Sequence, residues 1–132
     1  MTPPTSTHRD AAWTAGRVLL AVLFFMSGLA KLGASAGTVG YIASKGLPLP
    51  GLLYALAVAA EIGGGALLLI GFKARAAALA LAVFSVAAAV IFHSQLSDQN
   101  QMIHFMKNMA IAGGLLVVAA TGAGRFSVDA RR

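Results

Sequence analysis

Cysteine is absent from this sequence of 132 residues, and Asp and Glu together number only four. Without cysteine the chain can form no disulfide, no C-x-x-C redox pair, no thiolate nucleophile, no iron–sulfur cluster and no c-type haem linkage. Charged residues make up 11% of the chain, against about 25% in a typical soluble domain. These absences exclude thiol-based chemistry and argue against a water-soluble protein.

Apolar residues take the place of the missing charges. They make up 58% of the chain, and there are a further 15 glycines. A soluble domain of this size leaves roughly a third of its unfolded surface in contact with water, so it cannot hide this much apolar surface. The composition therefore predicts an all-α polytopic membrane protein. The formal net charge of +6 does not indicate nucleic acid, because the ten Lys and Arg residues are scattered along the chain.

The hydrophobic pattern divides the chain into four apolar segments, each long enough to cross about 30 Å of hydrocarbon. We therefore predict a four-transmembrane-helix bundle. A disordered polar tail is expected over residues 1–11 and a basic tail over 123–132. A short interfacial helix is expected over residues 38–44, ended by the prolines that follow. The predicted spans are at about residues 12–32, 52–72, 76–93 and 102–121.

The distribution of Lys and Arg predicts the orientation in the membrane. Seven of the ten lie near the two termini or in the turn between the second and third spans. The other three, Lys31, Lys45 and Lys107, lie on the opposite side. Because basic residues concentrate on the cytoplasmic side, we expect both termini to be cytoplasmic.

Glu61 is the most informative polar residue, since it lies near the centre of the second span. An acidic group there costs about 2.5–3.5 kcal/mol, so it should face the bundle interior. It is either a proton-handling or ligand-anchoring carboxylate or half of a structural ion pair. From the depths of the residues we expect Lys107 as its partner, because Lys31 would have to bend farther. Arg17 is expected to be an interface anchor that reaches the headgroups.

Two histidines suggest a ligand site on the outer side. His93 ends the third span and His104 begins the fourth. Such a pair can hydrogen-bond a quinone carbonyl or ligate a b-type haem, and the quinone is favoured. No metal site is expected, and catalytic residues cannot be assigned. The polar cluster predicted in the outer half of the bundle comprises Glu61, His93, Gln101, His104, Lys107 and Asn108.

Several different short motifs are spread along almost the whole chain. Arg17 opens a first helix that ends in Ser27-Gly28-Leu29-Ala30-Lys31-Leu32, and the second span contains Glu61-Ile62-Gly63-Gly64-Gly65. His93-Ser94 and Phe105-Met106-Lys107-Asn108 follow. In this combination the chain resembles the DoxX family of small bacterial inner-membrane proteins, closest to its YqjF-type branch. The resemblance implies a four-helix domain over residues 12–122 and marks as family positions Arg17, Lys31, Glu61, His93, Lys107 and Asn108.

The resemblance says less about activity. Some DoxX relatives are linked to thiosulfate:quinone oxidoreductase or to other membrane oxidoreductase complexes, which implies a quinone-linked subunit rather than an enzyme on its own. A non-catalytic scaffold or anchor for partner proteins is the alternative. A small proton-coupled transporter is less favoured, because no span is broken at mid-membrane. The expected partners are the lipid bilayer, membrane oxidoreductase proteins and a second copy of the chain.

Overall fold

The computed structural model describes residues 6–132, and this part of the chain is helical with no strand. Four of its helices are long and apolar enough to cross a membrane. The predicted all-α bundle of four spans is therefore confirmed. The helices are α1 (Ser6–Gly33), α2 (Ser35–Ser44), α3 (Pro50–Ile70), α4 (Ala74–Phe92) and α5 (Gln99–Thr121), followed by a single 3₁₀ turn at Asp129–Arg131.

The helix ends follow local sequence signals. α3 begins at Pro50, where the missing N–H costs nothing, and stops at Gly71, whose φ of 73° ends the helix in the left-handed region. α5 begins after Asp98, whose side chain accepts a hydrogen bond from the N–H of Gln101. α1 begins at Ser6, so residues 6–11, expected in a disordered tail, are helical. The rest of that expected tail lies outside the described residues.

The bundle consists of two tightly packed helix pairs, α1 with α3 and α4 with α5. Glycines allow the first pair to approach closely. A Cβ on Gly65 would lie 2.9 Å from the backbone nitrogen of Phe25, and one on Gly28 would lie 3.2 Å from that of Ile62. Small residues at such positions let membrane helices pack backbone against backbone.

The hydrophobic core fills one half of the bundle. We call the end with the first turns of α1 and the C-terminal segment the terminal end, and the end with α2 and the α4–α5 loop the loop end. The largest fully buried apolar side chains, Leu68, Leu81 and Leu115, pack in the terminal half with the alanines that begin α4. The loop half has no comparable filling, which leaves space between the two pairs.

Arg17 holds the terminal end together. It was predicted to be an interface anchor, and this was wrong, because its side chain is buried at 2% exposure. Its Nη1 donates to the carbonyls of Leu68 (2.7 Å) and Leu69 (2.6 Å), its Nε to Ala123 (3.0 Å) and its Nη2 to Phe126 (2.7 Å). The last carbonyls of a helix have no partner within that helix, so one guanidinium can satisfy several of them at once.

The segment expected as a basic tail folds back onto the bundle. The backbone N–H of Asp129 donates to the carbonyl of Gly71 at 2.9 Å. Its carboxylate accepts from the N–H groups of Lys73 (2.8 Å) and Ala74 (2.9 Å), where α4 begins. The Ala74 N–H above all, with the Lys73 N–H and the charges of Arg132 and Arg17, holds the pKa of Asp129 below its usual value. The C-terminal segment, although remote in sequence, thus caps the start of α4.

Candidate functional site

A cavity of about 920 Å³ lies in the loop half, between the two helix pairs. All four spans and α2 contribute to its walls, which are mostly apolar. α2, the short helix expected in this connection, covers part of it, and its Tyr41 stacks on Phe92 of α4 with ring centroids 5.4 Å apart. The bulky apolar residues that line it include Phe24, Leu53, Leu56, Phe84, Phe92 and Ile111.

A small set of polar side chains also reaches this cavity. A mostly apolar pocket with a few convergent polar groups is the usual form of a small-molecule site. These polar residues come from all four spans and α2, and they are Ser27, Lys31, Thr38, Tyr41, Glu61, Ser85, His93 and Asn108.

Glu61 forms an ion pair at the cavity wall. Glu61 is 3% exposed, and its Oε1 lies 3.0 Å from Nζ of Lys31. Ser27 connects the two, since its hydroxyl donates to Oε1 at 3.2 Å and accepts from Nζ at 3.1 Å. The prediction that Lys107 would be the partner of Glu61 was wrong. It is exposed on α5, which packs mainly on α4, whereas Lys31 lies on the helix that packs directly on α3.

The second carboxylate oxygen of Glu61 is unpaired. Oε2 is buried and has no hydrogen-bond partner among the described residues, and Thr14 Oγ1 is the other such side-chain atom found there. Burying a polar atom without a partner costs about 1–3 kcal/mol, and more when the group is charged. Glu61 is also among the residues that line the cavity, so this costly buried group lies in its wall.

The two histidines lie together at the loop end. Their rings stack with centroids 5.0 Å apart and an interplanar angle of 27°. Nδ1 of His93 lies 3.1 Å from Oε1 of Gln101, which fixes the ring orientation. His93 lines the cavity and His104 is exposed, so the stack runs from the cavity wall to the surface. Among residues 6–132 no group of three or more metal-ligating side chains occurs.

The structure thus divides the predicted polar cluster. Glu61, His93 and Asn108 line the cavity, while Gln101 and His104 contact His93 from outside. Lys107 is exposed and is not among the residues that line the cavity.

Sequence reasoning did not include Ser27, Lys31 and Tyr41 in the cluster. A signal was available for two of them, because residues four apart on a helix share one face, and Ser27 and Lys31 have this spacing. Nothing in the sequence indicated that Tyr41 would reach the cavity.

Comparison with known proteins identifies the family. The DoxX family model matches residues 12–94, which run from α1 to the end of α4. The chain belongs to the DoxX family. It is 38% identical over 120 residues to the inner membrane protein YqjF of Escherichia coli (strain K12), with 91% of each chain covered. It is 35% identical over 120 residues to the inner membrane protein YphA of the same organism, with 87% of this chain and 86% of the relative covered. No solved structure matches the chain.

Membership of DoxX agrees with the geometry. The four spans and the inner-membrane relatives make this DoxX chain a multi-pass protein of the bacterial inner membrane. The stretch that matches the DoxX family model contains Arg17, Lys31, Glu61 and His93, whereas Asn108 lies beyond it. Arg17 and most of the polar cavity wall therefore belong to the part of the chain that matches the DoxX family model, whereas two of the carbonyls that Arg17 contacts, those of Ala123 and Phe126, lie beyond it.

Proposed function

We propose that this DoxX protein binds a quinone-type molecule in the loop-half cavity and acts as a quinone-linked subunit of a membrane oxidoreductase. The observation that carries the proposal is the buried ion pair of Lys31 and Glu61 at the wall of an apolar cavity, with Oε2 of Glu61 left without a donor. A mostly apolar cavity with a few polar and charged side chains in its wall is the usual form of a small-molecule site.

The shape and chemistry of the cavity fit such a ligand. A quinone combines a flat ring that has polar edges with an apolar tail, and small-molecule cavities range over about 300–1,000 Å³. The ring can lie among Phe24, Phe84 and Phe92. Lys31 and Asn108 can donate to a ring carbonyl, and Glu61 can accept from a ring hydroxyl. When bound, the ligand supplies two-electron, two-proton redox chemistry.

The protein's own residues would handle the protons. Glu61 is sealed from water, but the Lys31 side chain beside it is 30% exposed. The Lys31 ammonium, 3.0 Å from Oε1 of Glu61, is the group through which we expect protons to reach and leave this carboxylate. α2 would keep the remaining surface of the ring dry through the contact between Tyr41 and Phe92.

The scaffold alternative is less well supported. It explains the ion pair as a contact that only fixes the helix register. A purely structural role gives no reason for the carboxylate to keep an oxygen without a hydrogen-bond partner.

The direct test is binding of a short-chain quinone and its reduced form. We expect the purified protein in mild detergent to bind decylubiquinone or decylubiquinol saturably in equilibrium dialysis, after subtraction of binding to empty micelles. Asn108→Leu should weaken binding of both forms about tenfold by removing a polar contact. Lys107→Met is the matched control, because Lys107 is exposed away from the cavity, and it should bind like the wild type. Absence of saturable binding of both forms would refute the proposal.

A further inference from the structure

The positive charge of the protein is concentrated at the terminal end. Seven of the ten Lys and Arg residues lie there, with only two acidic residues, Asp10 and Asp129. Both carboxylates are engaged within the protein. Asp10 is buried at 3.8 Å from Arg125, and Asp129 accepts from the backbone where α4 begins. A strongly positive surface therefore lies at this end of the four apolar spans.

Two of these cations meet at one aromatic ring. Phe72 lies in the turn between α3 and α4, and Nζ of Lys73 is 5.7 Å from the centroid of its ring. The guanidinium carbon of Arg132 is 5.0 Å from the same centroid, because the C-terminal segment folds back onto this turn. Lys73 forms no ion pair among residues 6–132. The ring thus holds two positive charges close together, and we call Lys73 and Arg132 the cation pair.

Asp129 holds the cation pair in place without neutralising it. Its Oδ1 lies 3.3 Å from Nη2 of Arg132, and its two oxygens also accept from the N–H groups of Lys73 and Ala74. A guanidinium has five N–H donors, so most of those of Arg132 are left for another acceptor. One carboxylate beside two cations leaves a net positive charge at the ring.

Apolar side chains lie exposed next to the cation pair. The backbone N–H of Val128 donates to the carbonyl of Ile70 at 3.0 Å, so the C-terminal segment lies against the last turn of α3. Ile70 is 52% exposed and Val128 is 38% exposed. Ile70 is the last residue of a membrane span, so these two side chains are at the border of the hydrocarbon and the cation pair lies just beyond it. The surface thus combines an apolar part with a cationic part at headgroup level.

We infer that this surface binds an anionic phospholipid, with its phosphate at the cation pair and its acyl chains along Ile70 and Val128. Ammonium and guanidinium groups are the usual partners of phosphate oxygens. A zwitterionic headgroup adds an ammonium, which the basic surface repels, so an anionic lipid is favoured. A soluble phosphate compound would use the cation pair but not the apolar side chains beside it. The inference does not depend on the proposed function, because the cavity lies in the loop half.

Native mass spectrometry of the delipidated protein in mild detergent tests the inference. The probes are phosphatidylglycerol and phosphatidylcholine with closely matched acyl chains. We expect the wild type to bind phosphatidylglycerol about tenfold more tightly than phosphatidylcholine. Because the cations are exposed, higher ionic strength should reduce this preference. Equal dissociation constants for the two lipids would overturn the inference, and so would a preference that salt does not change.

Three double variants assign the preference to the cation pair. Lys73→Gln with Arg132→Gln should reduce it to about threefold or less, whereas Lys73→Arg with Arg132→Lys keeps both charges and should retain it. Lys45→Gln with Lys107→Gln is the matched control, because it removes the same charge at the loop end and should change nothing. A preference that survived loss of the cation pair in a folded protein would overturn the inference. If that variant does not fold, the wild-type comparison and its salt dependence decide the question.

A soluble probe separates the lipid from a free phosphate compound. Glycerol 1-phosphate carries the phosphate without acyl chains. We expect a large molar excess of it to leave bound phosphatidylglycerol in place, because the apolar contacts belong to the lipid alone. Displacement of the lipid by glycerol 1-phosphate would overturn the assignment of this surface to a phospholipid.

Discussion

Lys31 places its ammonium 3.0 Å from Oε1 of Glu61, a residue 30 positions away along the chain. The pair joins the last turn of α1 to the middle of α3 and forms part of the cavity wall. Lys31, which was expected to have to bend farther than Lys107 to reach Glu61, is therefore its partner.

We expect Lys31→Met to destabilise the protein by about 2 kcal/mol, because it leaves the buried Glu61 carboxylate without its cation. The double variant Lys31→Met with Glu61→Met should regain most of that loss, since apolar residues often replace a buried pair at little cost. Thermal unfolding in detergent, followed by the fluorescence of the single tryptophan, measures both. Lys107→Met is the control and should change stability by less than about 0.5 kcal/mol. Additive losses in the double-mutant cycle would contradict the coupling.

Arg17→Lys should be severe despite the retained charge. The three donors of a lysine lie on one atom, whereas the planar guanidinium of Arg17 spreads its donors. A lysine therefore cannot contact the carbonyls of both α3 and the C-terminal segment at once. We expect a loss of at least about 2 kcal/mol in detergent unfolding. Arg75→Lys provides the comparison, because exposed Arg75 makes a single such bond, to the carbonyl of Ala120. Equal losses from the two substitutions would show that Arg17 does not hold the terminal end together.

Asp129 should make stability depend on pH in the acidic range. Its pKa in the folded protein lies below the ordinary 3.8, chiefly because the N–H of Ala74 donates to it. Its contribution is therefore complete above about pH 4 and is lost as the pH falls through the folded-state pKa. Asp129→Asn should cost about 1 kcal/mol at pH 7.

The measurement for Asp129 is the difference in unfolding free energy between the wild type and Asp129→Asn from pH 7 to pH 3. This difference should stay constant down to about pH 4 and shrink below it. Asp98→Asn at the start of α5 is the control at pH 7, because asparagine is an equally good N-cap, and it should cost less than about 0.5 kcal/mol. A difference in unfolding free energy that grew as the pH fell would contradict the prediction.

Gly65→Ala should separate α1 from α3. The added Cβ would lie 2.9 Å from the backbone nitrogen of Phe25, and neither helix backbone can yield easily. We expect a loss of about 1–3 kcal/mol, as for other overpacked sites. Gly63→Ala is the matched control on the same helix, because nothing lies within 4 Å of its Cβ position. It should be neutral or slightly stabilising, since alanine favours helix. The prediction fails if the two substitutions behave alike.

Hydropathy and length suffice to find the four spans, because each must be apolar over the thickness of the bilayer. They do not tell which spans are neighbours or how each helix is rotated. Lys107 has a suitable depth for Glu61, but α5 packs mainly on α4 and turns this lysine outward. Lys31 is brought to Glu61 by the close approach at Gly28, which depends on the lateral arrangement of helices.

The hydrogen bonds by which Arg17 holds the terminal end together could not be predicted from hydropathy either. Arg17 near a helix end has the usual position of an interface anchor, and a short basic segment has the usual composition of a free tail. Their actual structure comes from backbone carbonyls that the ends of α3 and of the C-terminal segment leave unpaired. Unpaired backbone groups carry no side-chain signature, so their partners are visible only in three dimensions.

The partners of Arg17 also set an order of events during synthesis. They lie 51 to 109 residues downstream of it, so the first span leaves the ribosome with a guanidinium whose final acceptors do not yet exist. Two of the acceptors lie on α3 and two on the C-terminal segment, so the full set exists only after Phe126 has been made. Burial of Arg17 is therefore among the final steps of assembly, and a nascent chain stalled before Ala123 should remain open at this end.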